Sequence, residues 1–105
     1  MSGFDEREAA FENKFAHDAE MMFKAAARRN KLLGLWAAEL MGIAGADAEA
    51  YAKQVVVSDF DEPGDDDVLR KVFRDLEAKG VETSEHLVRK EMDKLLEVAR
   101  SELSD

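Results

Sequence analysis

The chain has 105 residues, no cysteine and one proline, and its 24 acids and 15 bases give a formal net charge of −9. Without cysteine there is no disulfide framework, thiolate metal site or cysteine nucleophile. The excess of acid argues against nucleic acid binding, which depends on clustered Lys and Arg. No apolar run is long enough to cross a bilayer, and the acidic start MSGFDEREAA lacks the apolar stretch of a secretory signal. We therefore expect a soluble cytoplasmic protein.

Glycine and proline divide the sequence into four segments, at Gly42–Gly45, at Pro63–Gly64 and at Gly80. None of the segments alternates between apolar and polar residues with a period of two, so strands are not expected. The predicted fold is all-α: a four-helix bundle with a long first helix whose N-terminal part is a mobile arm.

The first predicted helix runs from about Asp5 to Met41 and carries one continuous apolar stripe. The residues that fall within about 40° of one line, at 100° per residue, are Phe4, Phe11, Phe15, Met22, Ala26, Leu33, Trp36 and Leu40. Gly34 interrupts a strong helical run, and we expect it to allow close packing against a neighbouring helix.

The other three helices follow from turn and cap residues. Their predicted bounds are Asp47 to just before Asp61, Asp65 to Lys79, and Thr83 or Ser84 to about Leu103. Asp47 is expected as an N-cap, and Gly80 as the residue just past a C-terminus. Each of these helices has one apolar face. The second helix has Ala48, Tyr51, Ala52, Val55 and Val56, the third has Val68, Leu69, Val72, Phe73 and Leu76, and the fourth has Val88, Met92, Leu95, Leu96, Ala99 and Leu103.

The predicted lengths do not match. The first helix would be roughly 55 Å long and the fourth about 30 Å, so about the first 17 to 20 residues have no neighbour within the chain. Composition changes nearby, because residues 1–31 contain no Leu, Ile or Val and residues 32–105 contain 19. We therefore predict an N-terminal arm, residues 1–19, which is disordered or a nascent helix when free, and a helical bundle domain, residues 20–105.

Three interpretations of this arm stay open. It is a frayed terminus, as many chain ends are; or it completes its helix inside a partner; or it lies on a membrane as an interfacial helix. Against the membrane interpretation, residues 5–20 carry six acids and two bases, which anionic lipid would repel.

Other constellations are weak. Asp59 and Asp61 resemble the beginning of a calcium loop, but Pro63 and Arg70 stand where the loop needs oxygen ligands. His17 and His86 lack partners at metal-binding spacing, so no metal site is expected.

Trp36 is expected in the core, and no nucleophile with its base is visible, so we expect no enzyme and no catalytic residue. Basic residues are locally in excess at Lys24, Arg28, Arg29 and Lys31. We expect these side chains to be solvated or paired with carboxylates, although they could in principle hold a nucleotide phosphate.

The string MMFKAAARRNKLLGLWAAELMG, residues 21–42, is preceded by FDEREAAFENKFAHDAE and followed by GADAEAYAKQVVVSDFDEPGDDDVLRKV. These strings resemble the zeta subunit family, the natural inhibitor of the F-type ATP synthase in alphaproteobacteria. The resemblance covers nearly the whole chain. The last 20 residues are the exception, because they match the family only in helical character and acidity. It implies a four-helix fold with a mobile inhibitory segment at the N-terminus.

The resemblance also implies a mechanism and partners. The inhibitory segment, here Phe4 to about Ala19, would become helical between the catalytic and non-catalytic subunits, beside the rotor stalk, and block hydrolytic rotation sterically. The residues expected to bind these partners are Phe4, Phe11 and Phe15 as anchors, Arg7 and Lys14 against carboxylates, and Asp5, Glu6, Glu8 and Glu12 against basic groups.

Cofactors and location also follow from the resemblance. No cofactor is required, although some members of the family bind ADP or ATP, at a site that this sequence does not identify. The location would be the bacterial cytoplasm, at the cytoplasmic face of the membrane-bound synthase, with no direct membrane insertion. The alternative function is a small nucleotide-responsive sensor or adaptor bundle without direct inhibition.

Overall fold

A computed structural model of the chain describes the backbone of residues 2–61 and 64–103, and the side chains of residues 19–59 and 64–103. This described part forms four helices and no strand. They are α1 (Ser2–Leu40), α2 (Gly45–Asp61), α3 (Asp65–Ala78) and α4 (Glu85–Leu103). The predicted all-α fold with a long first helix is confirmed, whereas the predicted mobility of the arm stays a prediction.

Glycine ends two of the helices in the same way. After α3, Gly80 has a φ of +78°, its N–H donates to the Glu77 carbonyl at 2.9 Å, and Val81 N–H donates to the Leu76 carbonyl at 3.0 Å. This pair of bonds satisfies carbonyls that a helix end leaves open. Equivalent bonds surround Gly42 after α1, where φ is +75°. The predicted role of Gly80 is confirmed.

The starts of α2 and α4 differ in how well the sequence predicts them. Ser84 caps α4, because its Oγ accepts the Leu87 N–H at 3.2 Å. The prediction of Asp47 as the N-cap of α2 is wrong, since the helix begins at Gly45 and Asp47 lies in its first turn. The chain turns at Gly45, where φ is +62°. Asp47 still suits its place, because a negative charge is favourable in a first helical turn.

The helices alternate in direction around α1. Asn30 bonds to Asp59 near the end of α2, and Gly34 lies against Ala52 further back along it, so α2 runs antiparallel to α1. A Cβ added to Gly34 would lie 2.6 Å from the Ala52 Cα, which confirms the expected close packing at this glycine.

The core lies between α1 and the other three helices. Its buried members are Leu33, Ala37, Ala38, Tyr51, Val55, Val68, Leu69, Val72, Leu76, Val88 and Met92. The predicted face of α3 is confirmed, with Phe73 only partly buried. Two members of the stripe predicted on α1 are not covered, because Met22 is 64% exposed and Leu40 is 45% exposed. The bundle therefore covers the middle of this stripe and leaves it open on either side.

Candidate partner-binding site

The other three helices meet α1 at three consecutive residues, each near one of their ends. The bonds are Arg28 Nη2 to Glu102 Oε2 of α4 at 2.6 Å, Arg29 Nη2 to Asp65 Oδ1 of α3 at 2.9 Å, and Asn30 Nδ2 to Asp59 Oδ2 of α2 at 3.1 Å. We call Arg28, Arg29 and Asn30 the junction. Since α1 begins at Ser2, it extends about 40 Å beyond the junction at 1.5 Å per residue.

Burial along α1 agrees with this geometry. Ala19, Glu20 and residues 22–24 are exposed, Met21 is half-buried, and Ala25 is the first buried side chain among those described. The interior of the bundle therefore begins about one turn before the junction.

Arg29 is the buried member of the junction, at 3% exposure. Its Nε donates to Asn30 Oδ1 at 3.0 Å, and Asp59, which accepts from Asn30, also accepts the Gly64 N–H at 3.3 Å. This network connects α1 to both sides of the connection between α2 and α3. Its burial was missed in the sequence, although Arg29 lies four residues before Leu33 and thus on the face of α1 that enters the core.

The ion pairs of the junction also set the charge state of their carboxyl groups. The hydrogen bond from Arg29 holds the pKa of Asp65 below its usual value; burial opposes this shift, and the charges of Arg29 and Arg89 add to it. The pKa of Glu102 is likewise lowered, chiefly by its hydrogen bond from Arg28. Both shifts run opposite to what a general acid at neutral pH requires.

Two large apolar side chains stand exposed just before the bundle begins. Met22 is 64% exposed and Phe23 is 60% exposed. Beside them, Lys24 Nζ pairs with Glu20 Oε1 at 3.1 Å across one helical turn. This stretch of α1 thus presents two exposed apolar side chains beside an ion pair that carries no net charge.

The residues predicted to bind the partner lie upstream of this pair, on the backbone of α1 but outside the described side chains. They are Phe4, Asp5, Glu6, Arg7, Glu8, Phe11, Glu12, Lys14 and Phe15. Their roles, and that of His17, therefore stay predictions.

The remaining sequence candidates have ordinary structural places. Trp36 is half-buried and packs against the core, as expected. His86 is exposed, and Asp59 bonds to Asn30 and to the Gly64 N–H. No group of three His, Asp or Glu side chains that could hold a metal ion occurs within the described residues.

The four basic residues from Lys24 to Lys31 have two kinds of surroundings, ion pairs and a groove. Arg28, Arg29 and Lys24 pair with carboxylates, as expected of an ion-paired face. Lys31 instead lines a groove between α1 and α2, together with Lys53.

The fold and the site define a class: an acidic four-helix protein in which one helix extends well past the other three. The chain belongs to the family of the ATPase inhibitor subunit zeta, whose family model matches residues 1–102. A protein with an NMR solution structure is 51% identical to this chain, with a TM-score of 0.69, over 79% of this chain and 94% of that one. No curated protein matches the sequence.

Membership defines the function in outline. The family consists of ATPase inhibitor subunits, so the chain is an inhibitory regulator, and it interacts with the ATP synthase. An inhibitor subunit is consistent with a protein that is not itself an enzyme. No helix in the described ranges is long and apolar enough to cross a membrane.

Proposed function

We propose that the chain inhibits ATP hydrolysis by the F-type ATP synthase by inserting the N-terminal part of α1 between catalytic and non-catalytic subunits, beside the rotor stalk. The observation that supports this most directly is the extension of α1 beyond the junction, where α2 and α4 end and α3 begins. The bundle stays outside the interface and anchors the arm, residues 1–19. The complex lies at the cytoplasmic face of the membrane-bound synthase in the bacterial cytoplasm.

Continuity of the helix lowers the cost of insertion. An isolated helix must first form an unfavourable nucleus, whereas each further residue adds to an existing helix at much lower cost. In this chain the nucleus is the part of α1 held in the bundle, where Ala25, Leu33 and Ala37 are buried. The arm therefore only has to continue a helix that already exists.

The inserted arm acts sterically. Phe4, Phe11 and Phe15 serve as anchors in apolar pockets, since aromatic side chains commonly dominate binding energy. Arg7 and Lys14 meet carboxylates, and the acids of the arm meet basic groups. Inhibition arises because the arm fits one rotational state and shifts the enzyme toward it by its differential affinity.

The experiment measures ATP hydrolysis by the cognate synthase as each protein is titrated in. The full chain should inhibit, and deletion of residues 2–18 should abolish inhibition. Replacing both Phe11 and Phe15 by alanine should weaken inhibition at least about tenfold, which corresponds to a loss of about 1.4 kcal/mol in binding free energy. Val57→Ala, at an exposed site on α2, is the control and should inhibit normally. Equal inhibition by the deleted protein would refute insertion of the arm.

A second candidate is a nucleotide-responsive bundle that acts without direct inhibition, and the groove between α1 and α2 favours it. Lys31 and Lys53 line this groove beside the apolar side chains of Ala50 and Val56, a combination suited to a phosphate and a base, although Glu49 would oppose the phosphate. The proposed ligand is ADP or ATP, which inhibition by the arm does not require.

NMR titration with ATP distinguishes this candidate. Shift changes confined to the groove, lost in Lys31→Gln with Lys53→Gln but retained in Lys79→Gln, would support nucleotide binding. If the full chain also fails to inhibit the synthase, the sensor replaces the inhibitor as the function. An absence of shifts at millimolar ATP would refute it.

A further inference from the structure

The face of α1 that the bundle buries continues past the junction and carries exposed apolar side chains there. Met22 lies seven residues before Arg29 and eleven before Leu33, which is two and three helical turns to within about 20°. Arg29 and Leu33 are buried at 3% and 0% exposure, yet Met22 on the same line is 64% exposed.

Phe23 repeats the pattern on the neighbouring line. It lies seven residues before Asn30 and eleven before Gly34, so it shares their side of α1. Asn30 is fully buried and Gly34 packs against Ala52 of α2. Phe23 is nevertheless 60% exposed, two turns before the residue at which α1 bonds to α2. Two adjacent large apolar side chains on the core face of α1 thus remain more than half exposed to solvent.

We propose that Met22 and Phe23 bind the ATP synthase, so that the contact with the partner continues past residue 19 and ends only at the junction. This inference rests on the proposed insertion of the arm. The occupant is the same synthase surface that receives the arm, because Met22 continues the line of Phe4, Phe11 and Phe15 at helical spacing. A continuous helix held along Phe15 therefore presents Met22 to the same surface two turns later.

The shape of the molecule fixes where this contact stops. The molecule measures 65 Å along its axis and 25 by 23 Å across, whereas a single helix is about 10–12 Å wide. A cleft that admits one helix cannot admit the bundle, so the rim of the cleft meets α1 just before the junction. Met22 and Phe23 lie there, and the Glu20–Lys24 pair beside them carries no net charge. The rim they contact is therefore apolar.

Leu40 provides a matched control. It lies on the same line of α1, eighteen residues after Met22, and is 45% exposed on the far side of the bundle. Met22→Ala with Phe23→Ala should raise the concentration for half-inhibition of the synthase at least about tenfold, which is 1.4 kcal/mol. Leu40→Ala should leave it within about twofold. All of these positions are exposed, so thermal unfolding should confirm that each variant is folded.

The outcomes separate this inference from the proposed function. If deletion of residues 2–18 abolishes inhibition but the Met22/Phe23 double variant inhibits like the full chain, the arm inserts and the contact at Met22 is refuted. If the full chain does not inhibit at all, both fail. A photoreactive benzophenone side chain at position 22 should cross-link to a synthase subunit, whereas the same group at position 40 should not. Equal cross-linking at both positions would overturn the inference.

Discussion

Arg29 is a charged side chain inside the bundle, and its neighbours make that burial tolerable. Its guanidinium is 3% exposed and donates to Asp65 and Asn30. A buried charge without a partner is strongly destabilising, while a paired and hydrogen-bonded one is not. Asp65 itself is 60% exposed, so solvent weakens the pair. The value of Asp65 lies mainly in neutralising a charge that cannot reach water.

Replacing Asp65 should therefore cost more than replacing its neighbour. We expect Asp65→Asn to lower the free energy of unfolding by about 1–2 kcal/mol, a buried-pair loss reduced for solvent exposure. Asp66→Asn removes the partner of Arg89 in an exposed pair and should cost less than about 1 kcal/mol. Urea unfolding of both variants measures the difference. Equal losses would show that the burial of Arg29 does not depend on the charge of Asp65.

Acid should remove this contribution. The pKa of Asp65 is lower in the folded protein than its ordinary value, chiefly because Arg29 donates to it. Its stabilisation is thus complete above the unfolded-state pKa of about 3.9 and is lost as the pH falls through the lower folded-state value. The stability gap between wild type and Asp65→Asn should be constant from about pH 7 to 5 and should shrink below about pH 4. A gap unchanged in acid would contradict the assignment.

At the scale of the helices, Gly34 sets the distance between α1 and α2. Helix propensity alone predicts that Gly34→Ala stabilises the protein by about 1 kcal/mol. The added Cβ would lie 2.6 Å from the Ala52 Cα, a backbone atom that only a shift of α2 can move. Overpacking of this kind costs about 1–3 kcal/mol, so we expect a net loss of stability. Ala52→Gly in the same chain should not restore it, because the contact is with the backbone; a more stable Gly34→Ala would refute this packing.

The helices show how far sequence patterns reach. Gly42, Gly80 and the predicted start of the fourth helix at Thr83 or Ser84 depend on local signals, and the helix ends predicted from them agree with the structure to within about two residues. Asp47 was wrong as a cap, because Gly45 starts the helix earlier. Periodicity identifies the residues that share a line of α1, but it cannot show where neighbouring helices stop.

The same limit applies to the site. The mismatch in helix length was readable from the sequence, because it needs only the positions of turns. The contacts of the junction could not be predicted from the sequence, because they depend on which helix ends lie next to Arg28, Arg29 and Asn30 in the folded chain. For the same reason the exposure of Met22 could not be predicted, because it lies within about 20° of buried Leu33 around the helix axis.

At the scale of the whole molecule, the chain is far from spherical. Its radius of gyration is 17.3 Å, whereas a compact chain of this length would have about 13 Å. The long dimension of 65 Å is close to the length of α1, about 58 Å for 39 residues. The helical bundle, which contains the buried core, and the N-terminal arm, which is proposed to inhibit, thus lie at different positions along one elongated molecule.

Stability and inhibition should therefore separate on truncation. Deleting residues 2–18 removes a segment that lies before the first described buried side chain, Ala25, so the free energy of unfolding should change by less than about 0.5 kcal/mol. Deleting residues 2–29 also removes Arg28 and Arg29, which pair with Glu102 and Asp65, and should cost at least about 2 kcal/mol. Urea unfolding compares both truncations with the full chain. If the shorter deletion destabilised the protein as much as the longer one, the arm would be packing against its own bundle. A segment already held there would have to be released before it could enter another protein, and α1 could not act as a freely available wedge.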